Sequence, residues 1–184
     1  GYSNSIRLFT VAQSDGARNT TEQQRLPKIE QRWQPASPKG LGGASFSTFS
    51  AVCWLYGRQL QDELKVPIGL ISSNKGGTAL QAWAPGAALK QCAEHDPHPE
   101  PPSRRYVFGG PLGNAMLHPF GVGPMGLRSF VWYQAEANAE DPTSQADYYS
   151  CLFPASIKAW RGWFGNGRLP FGFVQIAGFN YGGS

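Results

Sequence analysis

Two apolar runs in the chain stop abruptly in polar clusters. In 128–138, RSFVWYQAEAN, the residues Phe130, Val131, Trp132 and Tyr133 give way to Gln134, Glu136 and Asn138. In 66–78, the run VPIGLI opens into SSNKGGT. A buried parallel strand that ends in a functional loop has this pattern, with core residues first and hydrogen-bonding groups at the carboxyl edge of the sheet. Two such units predict two walls of one cleft.

Periodicity extends the picture. Residues 6–12 (IRLFTVA) predict a strand. Residues 13–41 are polar, contain prolines and read as a loop carrying Trp33. Phe46, Phe49, Cys53, Tyr56, Leu60 and Leu64 recur at three- and four-residue steps, which predicts a helix over 46–64 with its serine-rich start as the cap. An alanine-rich helix is expected near 80–91 and a short one over 112–118. A longer helix is expected over 145–164, where Pro154 predicts a kink or a division into two segments. Residues 93–111 are proline-rich and irregular, and 171–177 (FGFVQIA) predict a last strand. Alternating strands and helices form a βαβ series. The expected fold is therefore α/β, with strands 6–12, 66–71, 128–133 and 171–177 in one parallel sheet and helices, 46–64 and 145–164 among them, on its faces.

Composition narrows the function. A chain of 184 residues with 41% hydrophobic and 13% aromatic residues can build the core of one domain. The net charge is +4, but lysines and arginines are scattered and only Arg104 and Arg105 are adjacent, so no nucleic-acid partner is expected. No apolar run reaches membrane-spanning length. The three cysteines form no CxxC pair, so no zinc site is expected. Cys53 lies on an apolar helical face and reads as a core residue. Cys92 and Cys151 flank loops; whether they pair is open at this stage. Asn19-Thr20-Thr21 is a glycosylation sequon in a polar loop. His95 and His98 read as solvated. His118 has no acidic neighbour in sequence and reads as structural, and Asn114 as a residue bonding backbone in its short helix.

The run 50–83 (SAVCWLYGRQLQDELKVPIGLISSNKGGTALQAW), the segment NAMLHPF and the segment VWYQAEANA together resemble the SGNH-type carbohydrate esterases of the sialate O-acetylesterase family. The blocks of that family include a GGT turn followed by a tryptophan and a WYQGE(S/A)N loop. The resemblance implies a three-layer, flavodoxin-like α/β fold. It implies a serine esterase that removes O-acetyl groups from sialic acids through an acyl-enzyme, without a metal or other cofactor, in lysosomes or outside the cell. Such chemistry needs a serine, a histidine oriented by an aspartate, and donors already aimed at the oxyanion. By resemblance, the Gly77 N–H and the Gln134 carboxamide are two of those donors, and Gly76, Thr78, Glu136 and Asn138 belong to the substrate wall, with Glu136 more an organiser than an acid. The substrate would be an O-acetylated sialic acid or a related acetylated sugar.

The family's nucleophile lies in a GQSNM block, and its acid–histidine pair lies far toward the C-terminus. Gly1-Tyr2-Ser3-Asn4 mimics the first of these, but a strand begins two residues later, so Ser3 reads as an ordinary residue. Both blocks are therefore expected outside the chain. Within the motifs, Ala135 replaces the usual glycine, and Asn74-Lys75 stand where a tryptophan often precedes GGT. If that glycine has positive φ, Ala135 costs about 1 kcal/mol and tilts Gln134. Taken alone, Gly76-Gly77 is a turn, and Gln134 and Glu136 are capping or solvated groups. Two further readings stand beside the sialate esterase. One is a catalytically silent carbohydrate-binding or scaffold protein on the same fold, and the other is an acetyl esterase for another polysaccharide.

Overall fold

A computed structural model describes residues 1–13, 21–42, 49–97, 110–123, 125–139 and 142–178. Asn19, Phe46, His98 and the Arg104–Arg105 pair lie outside these residues. In chain order the strands are β1 (Ile6–Val11), β2 (Ile29–Pro35), β3 (Ile68–Ser72), β4 (Phe130–Trp132) and β5 (Phe171–Phe173). The helices are α1 (Pro38–Leu41), α2 (Ala51–Leu64), α3 (Gly86–Gln91), α4 (Pro111–Met116), α5 (His118–Gly121), α6 (Glu136–Ala139) and α7 (Pro142–Trp163).

The architecture is α/β, but the single parallel sheet divides into two. One sheet has the order β2-β1-β3, and the other pairs β4 with β5. β1 runs parallel to β3 in the register Ile6↔Ile68 to Thr10↔Ser72. β4 runs parallel to β5 from Phe130↔Phe171 to Trp132↔Phe173. β2 is antiparallel to β1 and was hidden in the stretch that reads as a loop. Its sequence, IEQRWQP, carries polar residues on both faces because it is an edge strand that stays partly exposed along its length. Trp33 is its anchor, 5.3 Å from the ring of Phe9.

β1 buries every residue but Arg7, which is why its run is mostly apolar. Ile6 and Leu8 enter a cluster with Ala36, Phe49 and Leu70, while Phe9 and Val11 enter the larger core around Leu80, Trp83, Met116, Trp132 and Trp160. Both faces of the strand are buried, so alternation disappears. In the larger core Phe130 stacks on Trp160 at 5.6 Å and on Phe171 at 5.0 Å, and these rings tie the second sheet to α7.

The helices depart from the periodic reading for local reasons. α2 starts at Ala51, where the Ser50 Oγ accepts a hydrogen bond from the Cys53 N–H at 3.3 Å. Phe49 before the cap and Trp54 in the first turn share one apolar cluster, a staple arrangement. The expected helix over 80–91 is a 3-10 turn (Leu80–Ala82) followed by α3, because Pro85 disfavours helical geometry at the residue before it. α7 runs through Pro154 as one helix, without the division into two segments. Strand 171–177 is shorter than expected and ends at Phe173.

The 80–85 segment leaves no room around α4. A Cβ at Gly113 would collide with the main-chain carbonyl of Trp83, and backbone cannot swing aside as a side chain can. Gly113→Ala is expected to destabilise the protein by ~3 kcal/mol, the upper end of typical overpacking costs. Urea unfolding of the two proteins measures this, and an unchanged midpoint would show that α4 shifts freely.

Candidate functional site

The carboxyl end of β3 opens into a loop whose side chains fasten it from several sides. Ser72 is buried, and its Oγ accepts from the Ser50 N–H at 3.2 Å and from Asn74 Nδ2 at 2.8 Å. The Ser73 hydroxyl donates to the Met116 carbonyl at 2.9 Å. The Thr78 hydroxyl donates to the Lys75 carbonyl at 2.7 Å and accepts the Trp83 indole N–H at 2.9 Å. The tryptophan that follows GGT in sequence therefore clamps the turn in space. Gly77 has φ 67°, the left-handed region that favours glycine, and only open space lies where its Cβ would be.

β4 ends one residue before Tyr133, which is exposed, and Gln134 then turns back to that loop. Gln134 Nε2 donates to the Thr78 carbonyl at 3.1 Å and to Asn138 Oδ1 at 2.8 Å. The Tyr149 hydroxyl donates to Gln134 Oε1 at 3.4 Å. Burial raises the Tyr149 pKa, with Trp132 opposing the rise and the Glu136 carboxylate adding to it, so this phenol remains a donor. Asn138 is buried. Its Oδ1 also accepts the Leu80 N–H at 2.8 Å, and its Nδ2 donates to Gln81 Oε1 at 2.8 Å and Gln145 Oε1 at 3.3 Å.

The two loops expected to face each other are thus joined directly, with Gln134 bonded to the residue that follows Gly77. Two details differ from expectation. Both amide hydrogens of Gln134 are engaged within the protein rather than aimed into the cleft. Asn138 is saturated beneath the loop, where it supports Gln134. Glu136 stands exposed in the first turn of α6 and accepts the Ala135 N–H at 3.1 Å, an organising contact. Ala135 carries no positive-φ strain, since Lys65 is the one non-glycine residue at positive φ among those described.

Between β3 and β4 lies a cleft of about 700 Å³. Gly76, Thr78, Tyr133 and Gln134 line it, together with Val52, Cys53, Tyr56 and Leu60 from α2. The expected apolar face of α2 therefore turns largely toward this space, which is why Tyr56 is partly exposed. Lys75 and Arg128 are the charged side chains along the cleft, and no His, Asp or Glu lines it among the described residues. Burial pushes the Cys53 thiol up to about 12, which makes it a poor nucleophile at neutral pH.

Other candidates fall elsewhere. His118 is buried away from the cleft. Its Nδ1 lies 2.9 Å from the Gln23 carbonyl and its Nε2 3.4 Å from Glu22, an acidic partner distant in sequence. His95 pairs with the adjacent Glu94 at the surface. The Asn114 carbonyl accepts the Gln23 N–H. Ser3 sits in a short 3-10 turn outside the cleft, its carbonyl receiving Arg7. Cys92 and Cys151 are joined in a disulfide that ties the end of α3 to α7. No three His, Cys, Asp or Glu side chains gather as a metal site among the described residues, and no helix among them is long and apolar enough to cross a membrane.

The sequence model of the carbohydrate esterases described as sialic acid-specific acetylesterases matches residues 28–183. The chain belongs to this family. It is 38% identical over 186 residues to the sialate O-acetylesterases of Pongo abelii and Homo sapiens, and 35% identical over 211 residues to that of Rattus norvegicus. These alignments cover 94–95% of this chain but only 33–38% of the relatives, so the chain spans about a third of their length. A solved carbohydrate acetylesterase from Xanthomonas citri superposes with a TM-score of 0.71 at 32% identity, over 93% of this chain and 34% of that one.

Of the motif residues, Gly76, Thr78, Tyr133 and Gln134 line the cleft, while Gly77, Glu136 and Asn138 are not among its lining residues. Their supports, Gln81, Gln145 and Tyr149, were not singled out from sequence. The four-residue step from Gln134 to Asn138 is a local signal for their contact. Gln145 and Tyr149 carry no such signal, because α7 brings them in from another part of the chain.

Proposed function

We propose that the chain is part of a serine esterase that removes O-acetyl groups from sialic acids through an acyl-enzyme intermediate. The observation that carries the proposal is the direct bond between the Gln134 carboxamide and the GGT turn at the rim of the cleft. In this reading the Gly77 N–H and Gln134 serve the oxyanion, and Gly76 and Thr78 form the adjoining substrate wall. Lys75 and Arg128, with no acidic side chain along the described lining, suit an acidic sugar. The serine and the Asp/His pair come from other parts of the protein.

The same cleft supports a finer reading of the architecture. Among the described residues, β3 and β4 each have an unpaired edge, both border the cleft, and each belongs to a parallel pair. We read the two sheets as halves of one parallel sheet in a three-layer, SGNH-like fold, joined by a strand from elsewhere in the protein. The Cys92–Cys151 disulfide and the Asn19 sequon favour a lysosomal or secreted location.

The commitment of both Gln134 hydrogens favours a second reading, a catalytically silent carbohydrate-binding protein. Treating the full-length protein with a fluorophosphonate separates the two. The esterase reading expects a covalent serine adduct and release of acetate from acetylated sialic acid, while the isolated 184-residue chain gives neither. An unlabelled, inactive full-length protein that still binds the sugar supports the silent reading. Faster release from acetylated xylan than from acetylated sialic acid moves the substrate to another polysaccharide.

A further inference from the structure

We infer that Asn138 is a positioning residue that sets the orientation of the Gln134 carboxamide, so that one of its two N–H groups is held and the other is left to turn toward a reacting ester. The inference rests on the esterase reading for what that second group does, but the geometry of the tie stands apart from it.

Two main-chain groups determine the orientation. The Leu80 N–H, a donor only, lies 2.8 Å from Asn138, so the Asn138 oxygen must face it. The Thr78 carbonyl, an acceptor only, lies 3.1 Å from Gln134, so the Gln134 nitrogen must face it. Reversing either amide sets oxygen against oxygen or N–H against N–H. Asn138 is held in turn by Gln81 and Gln145, and Gln81 Nε2 donates to Gln145 Oε1 at 3.1 Å. Asn138 thus joins the 78–82 segment, α6 and α7 at one buried point.

The two bonds of Gln134 are unequal. The one to Asn138 is the shorter, at 2.8 Å, and its acceptor is buried. The one to Thr78 is longer, and its acceptor belongs to a residue lining the cleft beside Gly77. An oxyanion forming there is a stronger acceptor than a neutral carbonyl. It draws the second N–H from Thr78 while the first stays on Asn138, so the donor is already oriented when charge develops.

The test uses the full-length protein with an acetyl-ester substrate. Asn138→Ala is expected to lower kcat about a hundredfold, the usual cost of losing one oxyanion donor, with KM little changed. Asn138→Asp keeps both acceptor bonds if Gln81 and Gln145 reverse their amides so that nitrogen faces the new oxygen; it is then expected to recover most of that kcat, which also covers the case in which Asn138→Ala does not fold. The double variant Gln134→Ala/Asn138→Ala should be no slower than Gln134→Ala alone, since both remove the same contact. Wild-type kcat in a folded Asn138→Ala protein, a loss confined to KM, losses that multiply in the double variant, or an Asn138→Asp protein as slow as Gln134→Ala would overturn the inference. Absence of turnover in the wild type removes the esterase reading instead. The tie is then read from the ¹⁵N side-chain amide of Gln134. Side-chain hydrogens that exchange slowly with solvent in the wild type and in Asn138→Asp but fast in a folded Asn138→Ala protein support it, and equal exchange in all three proteins overturns it.

Discussion

Replacing Gln134 by alanine in the full-length protein is expected to lower kcat at least a hundredfold while KM moves little. Removing one donor from an oxyanion site typically costs about 2.7–4 kcal/mol of transition-state stabilisation, and each 1.36 kcal/mol is a factor of ten in rate. The contact matures only as charge develops on the substrate oxygen, so ground-state binding is largely spared. Folding should survive the change. The Asn138 Oδ1 keeps the Leu80 N–H, and the Thr78 carbonyl lies at the cleft wall, where water can replace the lost donor. Steady-state kinetics on an acetylated sialic acid decide the matter. Full kcat in the variant would make Gln134 a strut between two loops and nothing more.

The second large effect concerns stability. Opening the Cys92–Cys151 disulfide by Cys92→Ala/Cys151→Ala is expected to cost ~4 kcal/mol. The bridge spans 59 residues, and a loop of that length removes about this much chain entropy from the unfolded state. Cys92 is fully buried at the end of α3, and Cys151 lies on α7, so the bridge staples the helix that carries Gln145 and Tyr149. For a domain of this size the loss corresponds to a fall in Tm of roughly 8–16 °C. Calorimetry of the wild type and the double variant measures it, and an unchanged Tm would mean that helix packing alone holds α7 in place.

The legible parts of this protein were those written locally. β1, β3 and β4 are short, mostly apolar runs, and each was readable at its position. The motif residues were readable too, because a strand ending in Gly-Gly-Thr or Gln-Ala-Glu changes polarity within one or two residues. β2 escaped because an exposed edge strand has no hydrophobic face to announce it. The break at Pro85 was present in the sequence, but the apolar residues on either side masked it.

The roles of the site residues were less legible than their identity. Sequence placed Gln134 opposite the GGT turn, yet it did not show that both amide hydrogens are engaged there. The family resemblance put Asn138 on the substrate wall. Here the first turn of α6 carries it under the loop, where a main-chain N–H and two glutamines saturate it. The acidic partner of His118 was invisible for a similar reason, since Glu22 approaches it only through the folding of a distant segment.

By itself, then, the sequence determined the α/β class, the strands bordering the cleft and the two loops that carry chemistry, because these depend on residues within a few positions of one another. Tertiary structure alone decided the pairing of Cys92 with Cys151, the division of the strands into two sheets and the orientation of the Gln134 carboxamide. Each of these depends on groups far apart in the chain. A hydrogen bond or a disulfide forms only where packing brings its two partners within about 3 Å or into bonding geometry, and local pattern carries no record of that distance.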